Sequence, residues 1–523
     1  MAPPVRLPRS NSEEELLITS PPSRSNSPAH TDKELEQQLL LSKSEEINDS
    51  VSRKKRRTAW KLAVGIGSTV LLLAAATFVT SGAAEGFSNW MCGQKPASAE
   101  LTTLSNGTHA YKKTVLVISI DGFQADYIDR ELTPNLVQIS KKGLRAKWMK
   151  PRFPTLTFPN HWAMMTGLNV ESHGIVANTF YDPVVGATFE YTDPKRSWDA
   201  NWWYGEPMWA TAGKAGLITA NLMWPGPPVT KEGISPTYYV PFKDKVPMKN
   251  KAMQIMEWLE LPIDQRPQLI NVYEPSLDQA GHKYGPDSPE VDLVLDDVDA
   301  FARDIYDGIA ARNLSDVVDV IFVSDHGMTD TSHVRLVFLD DILGPDGVSE
   351  VEHEDGWPSV GLRLSPKANV TLIKSRLLEA QRSMPHAFDV YDSETMPERY
   401  HFRESVAPNG RIAPIYMVPK LGWSITNHHE FEVLMGGSYE PIGSHGYDNE
   451  EVSMRAMFVA HGPFSSQIKD QSYARRAEKH TLDAPFVMEG FDNTELYGLV
   501  MKLLGIQGAP HNGTVGFWEN YLD

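Results

Sequence analysis

The chain has 523 residues, 41% hydrophobic and 22% charged, enough to bury a large core. Its formal charge of −18 excludes a nucleic-acid scaffold, which draws affinity from Lys and Arg against phosphate; an acidic protein still binds phosphate esters where metal ions supply local positive charge. The single cysteine, Cys92, excludes intrachain disulfides and therefore small disulfide-stapled modules. It could pair with a second chain, carry an acyl group or stand idle.

Residues 1–57 are rich in Ser, Pro, Glu and Gln and are expected to form a disordered cytosolic tail. Within it, EEELLI (13–18) and EQQLLL (36–41) look like acidic dileucine signals, which would engage sorting machinery; they read equally as short apolar patches. Residues 60–82 contain the uncharged run LAVGIGSTVLLLAAATFV, close to the ~20 residues that span a bilayer. RKKRR at 53–57 precedes it, so the positive-inside rule puts the N-terminus in the cytosol. A secretory signal peptide would begin near residue 1, whereas here a long polar stretch comes first. The expectation is a type II signal anchor, a linker over 83–112, and one catalytic domain over 113–523 on the extracellular or lumenal side. That side is the cell surface, a vacuole or an endolysosome. Asn106, Asn313, Asn369 and Asn512 open glycosylation sequons there.

From residue 113 the pattern changes. TVLVISIDG, ending in Asp121 and Gly122, is an apolar run rich in β-branched residues and predicts a buried parallel strand. TPNLVQISKKG predicts a helix with Thr133 as N-cap, Pro134 in the first turn and Gly143 closing it. LITANLMW, QLINVYEP, DVIFVSDHG and RAMFVAHG repeat the strand pattern, and residues 251–259 and 290–311 read as helices between them. This alternation predicts a doubly wound α/β domain with a mostly parallel sheet, whose ligands bind beyond the carboxyl ends of the strands.

Acids and histidines gather at those ends. Asp121 ends the first run, Asp278 and His282 follow LINVYEP four residues apart, Asp325 and His326 end VIFVS, and His445 lies among glycines in GSHGYDN. Three carboxylates and three imidazoles suit borderline metals such as zinc, and six ligands suit two ions. Each alone would pass for a turn or a structural residue; together they predict a site. Between them lies RFPTLTFPNHWAMMTG, where Thr157 precedes a predicted helix whose N-terminus offers amides to a phosphate. A two-metal site makes a threonine hydroxyl usable as a nucleophile. Without the metal set, Thr157 would be an ordinary N-cap, and Thr155 lies farther from the helix start.

These residues resemble the ectonucleotide pyrophosphatase/phosphodiesterase family of the alkaline phosphatase superfamily. The resemblance rests on ISIDGF, FPTLTFPNHWAMMTGL, ESHGIVANTFYDP, MWPG, EPSLDQAGHKYGP, VSDHGM, PERYHF and GSHGYDN, in the family's order from Thr114 to Gly513. It implies an alkaline-phosphatase-like fold and two zinc ions. Asp121, Thr157, Asp325 and His326 match one zinc site, with Thr157 as nucleophile; Asp278, His282 and His445 match the other. Asn178 matches the asparagine that donates to the phosphoryl oxygen, and would otherwise pass for a turn residue.

The implied reaction is hydrolysis of nucleotide phosphodiester or pyrophosphate bonds through a phosphothreonine. No arginine falls in the stretches matching the phosphate pocket, which favours diesters over monoesters. Phe158, beside the nucleophile, and Phe242, in PFKDKVP, are expected to sandwich a nucleobase. Two alternatives stay open: a choline phosphodiesterase acting on lysophospholipid or glycerophosphocholine, and a non-catalytic receptor of the same fold. The chain reads as a short type II form without the Cys-rich and nuclease-like modules of the larger animal members, and no calcium site is inferred.

Overall fold

The computed structural model describes residues 103–331, 335–404, 406–476 and 486–522. The expected tail, the apolar span at 60–82, both dileucine stretches, Cys92 and most of the linker lie outside the described residues. No helix among the described residues is long and apolar enough to cross a membrane. The end of the expected linker is structured: Thr103–Ser105 pairs antiparallel with Ala110–Lys112, and the Arg266 guanidinium lies 3.8 Å over the buried Tyr111 ring.

In chain order the two main sheets are built from β1 (Thr114–Ile120), β2 (Leu144–Ala146), β3 (Thr219–Leu222), β4 (Tyr238–Val240), β5 (Leu269–Glu274), β6 (Val318–Val323), β7 (Val351–Asp355), β8 (Val360–Leu364), β9 (Phe388–Asp392), β10 (Ile415–Pro419), β11 (Phe458–His461) and β12 (Phe486–Met488). The larger sheet has the order β12-β2-β11-β6-β1-β5-β3-β4. Its pairings are parallel except the two made by β11. The doubly wound, mostly parallel expectation therefore holds.

β1 is buried along its whole length, and its side chains alternate between two cores. Val115 and Val117 face a core with Trp162, Trp209 and Phe464; Leu116, Ile118 and Ile120 face one with Phe301, Ile305 and Leu259. Both faces of the central strand are thus covered, which is why its sequence is apolar throughout rather than alternating with polar residues.

The helices that matter for the site are α1 (Pro134–Lys142), α2 (Thr157–Thr166), α3 (Met248–Glu260), α4 (Ser276–Tyr284) and α5 (Pro289–Ala311). Thr133 occupies the N-cap position of α1 but makes no side-chain cap. Asp299 of α5 does that work, accepting from Asn135 N at 3.0 Å and Leu136 N at 2.8 Å. A carboxylate on a helix N-terminus gains from the macrodipole, so the packed partner displaces the local cap.

A second sheet, β7-β8-β10-β9, is antiparallel throughout and holds its own core with Leu343, Ile373 and Leu377. It is inserted between β6 and β11, and the apolar runs of the sequence did not announce it.

His173 is fully buried, and its Nδ1 accepts from Ile175 N at 3.2 Å. Burial pulls its pKa from 6.5 down to about 3. The unfolded state therefore binds more protons between those values, and stability is complete above pH 6.5 and lost as pH falls. The unfolding free energy should drop by up to ~1.4 kcal/mol per pH unit below pH 6.5 from this group. Urea titrations across pH 4–7 should show a shallower slope in His173→Gln than in the parent.

Candidate active site

Asp121 follows β1 directly, Asp278 and His282 lie one turn apart on α4 just past β5, and Asp325 and His326 follow β6. β5, β1 and β6 are neighbouring parallel strands, so their carboxyl ends open onto one crevice. His445 arrives separately: Gly443–Ser444 pairs with Thr329–Asp330, a short ladder just beyond β6. Ligand atoms of Asp121, Asp325 and His326 lie within 4.8 Å of one another, as do those of Asp278, His282 and His445. All six residues predicted as ligands are thus brought together. Two glycines permit the approach. A Cβ on Gly122 (φ 69°) would come 3.0 Å from Asp278 Cα, and one on Gly443 would come 2.2 Å from Gly281 O.

Backbone carbonyls orient the imidazoles. His282 Nδ1 is 2.8 Å from Gly443 O, His445 Nδ1 is 2.8 Å from Thr155 O, and His326 Nδ1 is 2.9 Å from Gly327 O. A carbonyl only accepts, so each Nδ1 carries a proton and, in the neutral ring, each Nε2 presents a lone pair. Yet His282 Nε2 and His445 Nε2 face each other at 3.0 Å. Asp278 Oδ1 stands 3.5 and 3.4 Å from those same two nitrogens. His326 Nε2 is 3.0 Å from Asp325 Oδ2 and 3.4 Å from Asp121 Oδ1, and these three carboxylate oxygens are buried with no hydrogen-bond partner. Lone pairs meeting lone pairs at buried atoms are costly unless a cation lies among them. The residues present fit divalent-cation binding.

Electrostatics agree with the geometry. Burial, with the Asp325 and Asp278 carboxylates nearby, pushes Asp121 well above the usual carboxylate range. Burial opposes ionisation of Asp325 too, but the His326 and His161 imidazoles bring it well below that range. Burial, then the neighbouring His326 and His282, hold His445 well below the ordinary imidazole value, so it stays neutral and able to ligate. Tyr273, which sequence reasoning missed, donates to Asp121 Oδ2 at 2.5 Å and orients that carboxylate.

The two threonines have separate tasks. Thr157 is the first residue of α2, with Leu156 at the N-cap, and its Oγ1 is 3.3 Å from His326 Nε2. Thr155 is structural: Gly446 N donates to its Oγ1 (2.9 Å), its Oγ1 donates to Tyr447 O (3.1 Å), and its carbonyl holds His445. The helix N-terminus offers fewer free amides than expected, because Pro159 has none and Phe158 N donates to Asn178 Oδ1 at 3.0 Å. That bond fixes the Asn178 amide, since a backbone N–H must face the oxygen, and leaves Nδ2 to donate. The segment carrying Asn178 is clamped by Arg411, which is fully buried with Asp182 (2.7 Å) and also donates to Gly174 O (2.9 Å).

A sequence profile described as type I phosphodiesterase / nucleotide pyrophosphatase matches residues 115–448. The chain belongs to this enzyme family. An uncharacterized pyrophosphatase/phosphodiesterase of Schizosaccharomyces pombe is 39% identical over 416 residues, covering 79% of this chain and 81% of that protein. Ectonucleotide pyrophosphatase/phosphodiesterase family member 3 of Rattus norvegicus is 34% identical over 413 residues, 78% of this chain and 44% of the rat protein. Against that relative the chain spans less than half the length. The solved structure of murine ectonucleotide pyrophosphatase/phosphodiesterase 5 superposes with a TM-score of 0.67 at 30% identity, covering 79% of this chain and all of that one. The same murine protein has been solved as an inactive threonine-to-alanine form in complex with AMP. The alkaline-phosphatase-like expectation for the fold agrees with these neighbours.

Within this phosphodiesterase, Phe158 is part-buried and its ring contacts are with Tyr191 (5.3 Å), Phe189 (6.1 Å) and Trp203 (6.1 Å). Phe242 is 50% exposed and its ring contact is with Tyr273 (6.2 Å). Among the sequons, Asn106 Nδ2 donates to Arg312 O (2.8 Å) and Asn313 Nδ2 to Asn106 O (2.7 Å). Asn369 and Asn512 are exposed and bond through Oδ1, to Leu372 N and Asn169 N. A third Asp/His cluster, Asp340, Asp341 and His428, was not anticipated; His428 N donates to Asp340 Oδ2 at 3.1 Å. Its members do not form one run: Asp340 and Asp341 are adjacent on the helix Leu339–Val348, whereas His428 comes from far along the chain.

Cation removal should destabilise the protein, because a ligand bound only by the folded state adds about 3–4 kcal/mol at 100–1,000 times its Kd. Calorimetry should show a lower unfolding temperature after chelation. Asp121→Asn should shrink that difference by stabilising the stripped protein, since it removes one of three crowded carboxylates.

Proposed function

We propose that this chain hydrolyses nucleotide phosphodiester and pyrophosphate bonds, such as a nucleoside triphosphate to the monophosphate and pyrophosphate, through a phosphothreonine on Thr157. The observation that carries the reading is Thr157 Oγ1 beside the Asp121–Asp325–His326 cluster, 3.3 Å from His326 Nε2. The inactivity of the murine threonine-to-alanine form, and its AMP, support a threonine nucleophile and a nucleotide substrate.

Asp121, Thr157, Asp325 and His326 would hold one zinc ion, and Asp278, His282 and His445 a second. When bound, they supply positive charge that polarises phosphoryl oxygens and acidifies the attacking hydroxyl. Thr157 Oγ1 bonds to phosphorus as the bond to the leaving oxygen breaks. Asn178 Nδ2 donates to the phosphoryl oxygen as charge builds there, held in place by Phe158 N and the Arg411 clamp. Water then displaces Thr157 from phosphorus, releasing the nucleoside monophosphate and restoring the hydroxyl.

Arg152, the arginine closest to Thr157 in sequence, is turned to Asp492 (3.0 Å) and Thr494 (2.9 Å) and so is not offered as a clamp for a second phosphate charge. This favours diesters. Phe158, beside Thr157, and Phe242 would supply aromatic faces for a base.

The same reading makes the chain a type II membrane glycoprotein. Its tail (1–57) is cytosolic, its anchor covers 60–82 and its catalytic domain (113–523) is extracellular or lumenal, with sorting machinery met through the dileucine stretches. Asn369 and Asn512 are the readiest glycan acceptors, because a glycan on Asn106 or Asn313 would break the bonds between those two segments.

The test is turnover of ATP, a nucleoside-monophosphate nitrophenyl ester and glycerophosphocholine by purified protein. AMP and pyrophosphate should form, with kcat falling by at least ~10³-fold in Thr157→Ala and ~10²-fold in Asn178→Ala. Phe158→Ala should raise KM for the nucleotides more than it lowers kcat. Choline phosphate release with ATP untouched would move the protein to choline lipids, and no turnover by cation-loaded protein would make it a binding protein.

A further inference from the structure

His161 lies one turn after Thr157 on α2, fully buried, with no role so far beyond its influence on Asp325. Its Nδ1 is 2.9 Å from Thr157 O and 3.3 Å from Asp325 Oδ2. Its Nε2 is 2.9 Å from Ser119 Oγ, on β1 two residues before Asp121. Trp224 and Tyr273 meet the imidazole edge-on at 5.2 and 5.1 Å and fix the plane of the ring.

The partners determine the tautomer. A carbonyl and a carboxylate both accept, so Nδ1 carries the proton; the Ser119 hydroxyl then donates to Nε2. This N–H thus bonds the carbonyl of the first residue of the nucleophile helix, and the same nitrogen stands 3.3 Å from Asp325 Oδ2, an oxygen of the lone-pair cluster with no hydrogen-bond partner of its own. The other nitrogen is tied to the strand that delivers Asp121. A helix that only needed packing here would be served by an apolar side chain, at lower desolvation cost.

We propose that His161 is a positioning residue, fixing the first turn of α2, and with it Thr157 Oγ1, against Asp325 and β1. This rests on Thr157 being the nucleophile. A misplacement of about 1 Å in such a group costs on the order of 10²-fold in rate, and outer partners of ligating carboxylates matter 10–100-fold.

Two isosteric variants separate positioning from packing. The amide nitrogen of Asn mimics Nδ1, and that of Gln mimics Nε2. His161→Asn should keep kcat on the nitrophenyl ester within about 5-fold of the parent, while His161→Gln should lose about 10–100-fold with KM within about twofold. Metal content per chain and unfolding temperature, read on the same samples, should match the parent in the Asn variant and show no loss of cation in the Gln variant. Equal losses in Asn and Gln, or a loss that tracks cation content or unfolding temperature, would overturn the role.

Should both variants fail to fold, Ser119→Ala carries the test. It removes only the bond at Nε2, and kcat should fall about 5-fold and recover in Ser119→Thr; an unchanged kcat overturns the proposal. Thr157→Ala serves as reference. If it turns over like the parent, the nucleophile reading fails; if it is inactive while the His161 variants behave alike, only the positioning role fails.

Discussion

Six side chains that all accept, or are held so that they accept, crowd the carboxyl ends of three parallel strands. Two imidazole nitrogens face each other 3.0 Å apart beside Asp278 Oδ1, and that oxygen, like those of Asp121 and Asp325 beside His326, is buried without a hydrogen-bond partner. Such an arrangement is unfavourable by itself and becomes favourable only around positive charge. The surrounding structure serves to hold it: carbonyls pin each Nδ1, Tyr273 pins Asp121, and Gly122 and Gly443 let the backbones close to distances no Cβ would tolerate. Positive charge gathered by such a cluster is what a phosphodiester centre needs, because position and field stabilise the negative charge that builds on the phosphoryl oxygens in the transition state.

The nucleophile and the cluster are coupled through short paths rather than through one long element. Residues 153–161 alone contribute Thr155, which clasps His445 and the glycine after it; Thr157, which faces His326; and His161, which touches Asp325 and Ser119. Asn178 closes the helix N-terminus from the far side, and the buried Arg411–Asp182 pair keeps that segment in place. Breaking such a pair by removing one partner costs about 3–5 kcal/mol, so the donor amide sits on a stiff support although it lies in a loop.

Much of the fold was legible because the central strands are buried on both faces. Unbroken apolar runs such as TVLVISI and VDVIFV leave few other options, and the long helices between them show their period. Other features had no local signature. Thr133 looked like a cap, yet Asp299 from a distant helix caps α1; the strands of the second sheet are short and broken by a register shift; β11 reads like the other runs but lies antiparallel. In the site, the six predicted ligands and Thr157 converge, whereas Tyr273, His161 and the Asp340–Asp341–His428 cluster have no spacing that marks them.

The chemistry on offer was written in residue types and order: three Asp and three His after apolar runs, with a hydroxyl ahead of a helix. Which atom of each would act was decided by tertiary contacts. A histidine presents Nε2 only because a particular carbonyl occupies its Nδ1 side, and an asparagine donates only because a remote amide fixes its oxygen. Of two threonines two residues apart, Thr157 faces the cluster and Thr155 faces the backbone of residues 446–447, because entry into the helix turns them to different sides. Those hydrogen-bond choices join residues from 20 to 292 positions apart, and no local pattern encodes them.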